Sequence, residues 1–317
     1  MRTVFMGTPE FAVPCLQGLA QLTEIAAVYT QPDRPRGRGL ATAPTPVKIA
    51  AGKLGVRILQ PERLRQLSAV EELAALQADL IVVVAYAQIL PASILAMPRY
   101  GCINVHASLL PAYRGGAPIH WAVLKGELET GVTSMLMSRR LDAGDMLLQT
   151  KTPIGPDETT GQLYDRLSLL GADLLGQTII DLQSGKLRPV PQPELGVSYA
   201  PNIQKSDGLI DWRRPAEQIH DQVRGLNPWP AAFTFHEGRL LRIWSSLKRP
   251  ATSVARPGQV LQLTADGPLV STGEGSLILR GVQPESKQLM SGADYARGYN
   301  LRPGCILGTN HDYVKNV

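Results

Sequence analysis

The sequence predicts an α/β protein in two parts: an open, mostly parallel sheet followed by a smaller all-β module. Three observations predict it. An uninterrupted apolar, β-branched-rich run occupies residues 80–84. Helical stripes precede and follow that run. After about residue 187 the texture changes from alternating strand and helix to short strands with turn signals. Strand–helix alternation is the pattern of a parallel sheet with helices on its faces.

Taken in order, Thr3–Met6 is the first strand-like run. Leu64, Leu67, Val70, Leu73 and Leu76 recur every three residues and predict an amphipathic helix. Leu80-Ile81-Val82-Val83-Val84 carries no polar residue, as expected of a strand covered on both faces. Gly101-Cys102-Ile103 reads as the entry to a strand reaching His106, and Pro111 to Gly116 as its irregular exit. A second helix is expected from about Gly161 to Gln183. Leu163, Leu167, Leu170, Leu174 and Ile179 form its apolar side, and Gly185 sits at its C-terminal cap. Leu187 to Pro201 holds four prolines and reads as an extended linker. A short helix over Ala216 to Val223 then precedes "LLRIW", "GQVLQL", "PLVST" and "SLILRGV", spaced as in a small barrel or sandwich. The expected organisation is a catalytic domain over 1–188, a linker over 189–207 and a C-terminal domain over 208–317.

With 317 residues, two domains are the natural expectation. Hydrophobic residues make up 44% and charged residues 19%, the balance of a globular protein in water. The longest apolar run, Leu80 to Ala85, is too short to span a membrane. No secretory or transit segment precedes Thr3, so a cytoplasmic protein is expected. Cys15, Cys102 and Cys305 are odd in number and far apart, which suggests reduced, buried thiols. The net charge of +5 is compatible with a polyanionic partner without requiring one. From Ser206 to Val317 there are 13 Lys and Arg against 10 Asp and Glu, so the C-terminal module is mildly basic.

Asn104 and His106 carry the first chemical signal. Two residues apart on a strand, they share one face. An amide N–H and an imidazole N–H converging on one point are what a developing oxyanion needs. A lone strand histidine is also an ordinary core residue, and spacing alone does not separate the two. The following segment from Ser108 to Pro111 can offer backbone groups to a ligand. Asp142 and Asp145 lie in a Gly-containing turn, "LDAGD". Either they are turn formers, or one carboxylate orients and charges the imidazole. The five histidines form no i,i+4 pair and there is no CxxC, so no metal site is expected. The turn after the first strand, "MGTPEF", lacks GxGxxG, which speaks against a nicotinamide oxidoreductase. "QPDRPRGRGLATAPTPVK" (Gln31 to Lys48) sets Arg34, Arg36, Arg38 and Lys48 against one Asp in an unusually long connection. Arginines among glycines suit a nucleic-acid phosphate, although a solvated loop would look the same.

These residues resemble the 10-formyltetrahydrofolate-dependent formyltransferases. "NVHASLLPAYRGGAPIHWAVLKGELETGVT" and "LDAGDMLL" resemble the shared core of that family. "FMGTPEFAVPCL", "TQPDRPRGRG", "YAPNIQKSDGLIDW" and "RGLNPWPAAFT" are similar to the branch whose acceptor is the α-amine of initiator methionyl-tRNA. The resemblance runs through nearly the whole chain in order. It implies a Rossmann-like first domain and an OB-like barrel that helps hold tRNA. It implies 10-formyltetrahydrofolate as formyl donor and co-substrate, with a role in translation initiation. It places the catalytic set on Asn104, His106 and Asp142. Folate contacts fall on Ser108, Leu109, Leu110 and Pro111, with pterin-side contacts from Gln88, Ile89 and Leu90. Contacts to tRNA fall on Arg34, Arg36, Arg38 and Lys205. A monomer is expected. Three positions depart from the family pattern: Ser138-Arg139-Arg140 where acidic or small residues are usual, Ala87 where Gly is common, and "LATAP" without lysines after the GRG.

The expected reaction is formyl transfer from N10 of the folate to the amine, with Asn104 and His106 holding the oxyanion and Asp142 assisting proton transfer. The rivals are formyl transfer to a glycinamide ribonucleotide or an amino sugar, hydrolysis of the formyl-folate, and a non-catalytic RNA-binding module.

Overall fold

The structure, a computed structural model, describes residues 1–36, 41–250 and 255–308; for residues 35, 36, 41 and 42 only the backbone is described. Arg38 therefore lies outside the described residues, as does the side chain of Arg36. The chain runs through β1 (Arg2–Gly7), α1 (Val13–Leu22), β2 (Glu24–Tyr29), β3 (Arg34–Arg36), β4 (Ala41–Ala43), α2 (Pro46–Lys53) and β5 (Ile58–Leu59). It continues through α3 (Leu67–Ala75), β6 (Leu80–Val84), α4 (Ala92–Leu95), β7 (Cys102–His106), α5 (Pro118–Leu124), β8 (Glu129–Leu136), β9 (Met146–Pro153) and α6 (Thr160–Gln183). The last elements are α7 (Ala216–Gly225), β10 (Ala232–His236), β11 (Arg239–Arg249), β12 (Val260–Thr264), β13 (Gly267–Ser271), β14 (Ser276–Pro284), β15 (Met290–Ser291) and α8 (Gly292–Gly298).

Two compact units result. The first comprises Met1–Pro118, Glu129–Pro153 and Tyr164–Ala200; the second comprises Ile119–Leu128, Ile154–Leu163 and the chain from Pro201 onward. The first unit is built on a seven-stranded sheet in the order β5-β2-β1-β6-β7-β8-β9. Pairing is parallel from β5 to β7 and antiparallel for β8 and β9. The chain winds outward from β1 through β2 to β5, then restarts at β6 on the other side. The topological switch point therefore lies between the C-terminal ends of β1 and β6, where open α/β sheets bind ligands. Val4, Met6, Ile81 and Val83 pack on one face with Leu73 and Ile94. Phe5 and Val82, which alternate with them and are fully buried, point to the other face. That double burial is why the 80–84 run needs no polar residue.

Local signals set the helices. Thr45 caps α2 by accepting from the Lys48 backbone N–H at 3.1 Å, with Pro46 at the first turn. On α6, Leu163, Leu167, Leu174 and Ile179 are buried, and Gly185 ends the helix at a positive φ of 67°. The every-third-residue stripe at Leu64–Leu76 is only partly realised. Helix α3 begins at Leu67, which is exposed, while Leu64 is buried in the preceding loop. Steps of three fall short of the 3.6-residue turn, so such a stripe winds around a helix instead of staying on one face. Cys15 and Cys102 are buried, and burial pushes both thiols up to about 12; Cys305 is partly exposed.

Two stretches read as loop or linker carry backbone pairing among their described residues. Around Arg34, β3 and β4 pair as an antiparallel hairpin. Its Lys48 cation is taken by Asp33, whose carboxylate also accepts from Gln60 at 2.7 Å. The Lys48 and Gln60 donors hold the Asp33 carboxyl below the usual carboxylate range. The Pro-rich segment after 187 is extended, yet it is bonded to the first unit. Val190 exchanges two backbone bonds with Met146 at 2.8 Å, and Arg114 does so with Ser198 and Ala200.

The second unit is an antiparallel sheet ordered β10-β11-β14-β13-β12, with β15 pairing β14. Backbone bridges Gln259–Ile306 and Phe235–Gly308 link both edges to the same late segment, which closes the sheet into a small barrel. Its core gathers Ile219 and Val223 of α7 with Leu241, Ile243, Val270, Leu277, Leu279 and Tyr295.

Candidate active site

Strand β7 is the last parallel strand, and its C-terminal end presents His106. Its register against β8 pairs Asn104 with Met135 and His106 with Thr133. Asn104 and His106 share one strand face, about 6–7 Å apart along the chain, and both are buried, at 9% and 6% exposure. Their settings differ in kind. The His106 Nε2 lies 2.9 Å from the Tyr113 carbonyl, which can only accept, so that nitrogen carries a proton. Its Nδ1 faces Asp142 Oδ2 at 3.7 Å, longer than a hydrogen bond. The amide of Asn104 makes no hydrogen bond among the described residues. The amide is not among the fully buried unpartnered groups, so its donor and acceptor remain open to a ligand or water.

Asp142 sits in the turn between β8 and β9 at a φ of 46°. Its Oδ2 accepts from the Gly115 backbone N–H at 2.9 Å. The turn is tight at Gly144, where an added Cβ would lie 1.8 Å from the Leu136 carbonyl oxygen. Asn104, His106 and Asp142 thus come from two elements, and the loop after β7 ties to two of them, through the Tyr113 carbonyl and the Gly115 N–H.

The residues expected to hold folate divide by exposure. Ser108 is fully buried and its hydroxyl donates to the Ala112 carbonyl at 2.6 Å. The carbonyl of Ser108 accepts from Thr133, that of Leu110 from Gln149 and that of Leu109 from the Ala112 N–H. The Leu110 N–H donates to Thr133. These bonds anchor the loop; Leu109 and Pro111 remain partly exposed. Gln88 likewise spends its amide on the 61–64 turn, accepting from Leu64 N–H at 2.7 Å and donating to the Pro61 carbonyl at 3.1 Å. Leu90 is core, whereas Ile89 is 91% exposed. Just before them Ala87 stands at a φ of 64°, a left-handed conformation that glycine adopts more readily than alanine.

At the switch point, Thr8, Gln31, Pro32, Arg34, Thr45 and Ala87 are among the residues lining an open pocket of about 370 Å³. Thr8 and Gln31 both donate to the Tyr86 carbonyl, joining the ends of β1, β2 and β6. Arg34 is exposed on the pocket's lining, and in the second unit Lys205 is exposed in a 3₁₀ turn. Several site residues carried no sequence signal: Tyr113 and Gly115 act through backbone groups, and Gln192 lies in the Pro-rich stretch. Gln192 donates to the carbonyls of Asp142 and Gly144, both at 2.8 Å, and accepts from Arg114 Nη2 at 2.6 Å.

The fold thus joins a mostly parallel α/β sheet, with an amide and a carboxylate-facing imidazole on its last parallel strand, to an antiparallel second unit. The chain belongs to the formyl transferase family: residues 1–179 match the formyl transferase domain and residues 202–300 its C-terminal domain. Among its relatives are methionyl-tRNA formyltransferases. That of Citrifermentans bemidjiense is 50% identical over 309 residues, covering 97% of this chain and 96% of the relative. That of Bacillus subtilis is 46% identical over 313 residues, covering 98% and 99%. The fold is also that of an N-formyltransferase from Helicobacter canadensis solved with folinic acid and dTDP-3-aminofucose, with a TM-score of 0.66, 17% identity, and 89% and 98% of the chains covered. HypX from Aquifex aeolicus with tetrahydrofolic acid matches with a TM-score of 0.63 at 16% identity, over 95% of this chain and 48% of the other. Among the described residues no helix is long and apolar enough to cross a membrane.

Proposed function

We propose that the chain transfers the formyl group of 10-formyltetrahydrofolate to the α-amine of initiator methionyl-tRNA, giving N-formylmethionyl-tRNA and tetrahydrofolate. The observation that carries the reading is the unpartnered Asn104 amide beside a His106 that faces Asp142. The full-length relatives named for this activity support the acceptor.

An α-amine has a pKa of about 7.7–8.0, so a useful neutral fraction exists near pH 7 and the nucleophile needs little activation. The demanding step is charge on the formyl oxygen once the amine nitrogen has added to the formyl carbon. Asn104 donates its amide to that oxygen, where one such donor is worth about 3–4 kcal/mol. His106 supplies the second donor by exchanging the Tyr113 carbonyl for the oxyanion. Asp142 orients the imidazole and assists removal of the amine proton, directly or through water. Collapse breaks the bond to folate N10, which leaves with a proton. Ile89, which is exposed, and Leu109 and Pro111, which are partly exposed, offer apolar surface for the folate. Arg34 and Lys205, with Arg36 and Arg38, meet tRNA phosphates, and the C-terminal barrel helps hold the tRNA. The protein acts in the cytoplasm as a monomer.

The test is to mix purified protein with initiator methionyl-tRNA and 10-formyltetrahydrofolate, strip the tRNA and look for formyl-methionine by mass spectrometry. Formylated product that disappears in His106→Ala, with folding intact, is the expected result. Tetrahydrofolate without formyl-methionine means a different acceptor, and no folate turnover refutes the reading.

A further inference from the structure

The Pro-rich segment after residue 187 does more than join two units. Gln192 uses every hydrogen-bonding group of its amide on the two loops that carry the site. Its nitrogen donates to the carbonyls of Asp142 and Gly144, both at 2.8 Å. Its oxygen accepts from both Nε and Nη2 of Arg114, at 3.1 and 2.6 Å. Arg114 is itself buried, and it lies between Tyr113, whose carbonyl meets His106, and Gly115, whose N–H holds Asp142 Oδ2. Six residues further on, Ser198 completes the strap: its hydroxyl accepts from Tyr113 N–H and its carbonyl from Arg114 N–H, both at 2.9 Å.

We propose that Gln192 is a positioning residue: through Arg114 on one side and the Asp142 and Gly144 carbonyls on the other, it fixes the separation of the His106 and Asp142 side chains. The physical case rests on pairing. A buried guanidinium needs an acceptor, and two turn carbonyls need donors. One amide satisfies both, so the two loops cannot move apart without leaving buried polar groups unmet. A catalytic pair already at 3.7 Å is sensitive to such movement, since a displacement of about 1 Å can cost about 100-fold in rate. The inference rests on the formyl-transfer reading for its kinetic consequence and on geometry alone for its structural one.

Gln192→Glu is the informative change. The carboxylate still accepts from Arg114 but faces two carbonyl oxygens it cannot donate to. Expected is a fall in kcat of at least ten-fold, KM for the formyl donor within two-fold, and a lowered unfolding midpoint with the protein still folded at the assay temperature. Placed in the Asp142→Asn background, the same change lowers kcat less than two-fold further, because its effect travels through Asp142. Equal losses in both backgrounds, or a kcat within two-fold of wild type in the first, overturn the proposal. Arg114→Met reads the same clamp from its other side should Gln192→Glu fail to fold. The His106 ring and Gly115 amide resonances read it without turnover. Both shift in Gln192→Glu if the clamp exists, and unshifted resonances overturn it even if the formyl-transfer reading fails. A wild-type protein that makes no formyl-methionine sinks only that reading.

Discussion

His106 and Asp142 face each other across 3.7 Å, with the carboxylate held by the Gly115 N–H and the imidazole by the Tyr113 carbonyl. The pair is aligned by one short loop, yet it stops short of a hydrogen bond. Catalytic contacts are often loose in unliganded sites and tighten in the reactive complex.

Asp142→Asn separates charge from shape. The asparagine amide oxygen can still accept from Gly115, so the turn keeps its form, while the carboxylate that faces Nδ1 is gone. The expected outcome is a kcat lower by about 100-fold or more with little change in the unfolding midpoint. Steady-state formylation kinetics check it, and a loss below five-fold would show that Asp142 serves the turn and not the reaction.

Gly144→Ala tests the turn itself. The added Cβ would meet the Leu136 carbonyl oxygen at 1.8 Å, which no rotamer relieves because the obstacle is backbone. The turn must open, pulling its carbonyl away from Gln192 and shifting Asp142. Expected is a stability loss of about 1–3 kcal/mol together with lost activity, measured by urea unfolding and formylation on the same sample. Unchanged stability would mean that the turn relaxes freely.

Much of this was legible in the sequence, and the limits have physical causes. The 80–84 run, the α6 stripe and the short C-terminal strands announce themselves because burial imposes local periodicity. The shared face of Asn104 and His106 follows from strand alternation alone. Gln192 does not, since its partners lie 48–78 residues away and nothing local marks it. Gln88 and Ser108 are expected from the resemblance to meet the folate, and the structure adds that their side chains bond the protein's own loops. Only coordinates separate a residue that lines a site from one that holds up its wall.

Ala87→Gly removes a strain beside the switch-point pocket. An L-residue at a φ of 64° pays about 1–2 kcal/mol, whereas glycine at that φ loses about 0.5–1 kcal/mol more backbone entropy on folding. The difference predicts a net gain between about 0 and about 1.5 kcal/mol, read by urea unfolding. Clear destabilisation would show that the Ala87 methyl is a packing contact that outweighs its backbone cost.

His236 sets a pH dependence in the barrel. Its ring is buried, Nδ1 shares a hydrogen bond with the Tyr295 hydroxyl at 2.8 Å, and Nε2 has no partner among the described residues. Burial lowers its pKa below the ordinary 6.5, with the Glu237 carboxylate pulling weakly the other way. His120 is lowered in the same sense by burial, against a bond to the Trp229 backbone. Below pH 6.5 the unfolded chain therefore binds more protons than the folded one. The contribution to stability is complete above pH 6.5 and is lost as pH falls toward and through the lower folded-state value. Unfolding midpoints from calorimetry at pH 8, 7, 6 and 5 should fall across the last two steps. Gln in place of His236 cannot titrate, and its glutamine amide can still meet the Tyr295 hydroxyl. The His236→Gln variant should show a shallower fall over the same steps, with His120 supplying the remainder. An identical slope in wild type and variant would mean that His236 takes up its proton without disturbing the barrel.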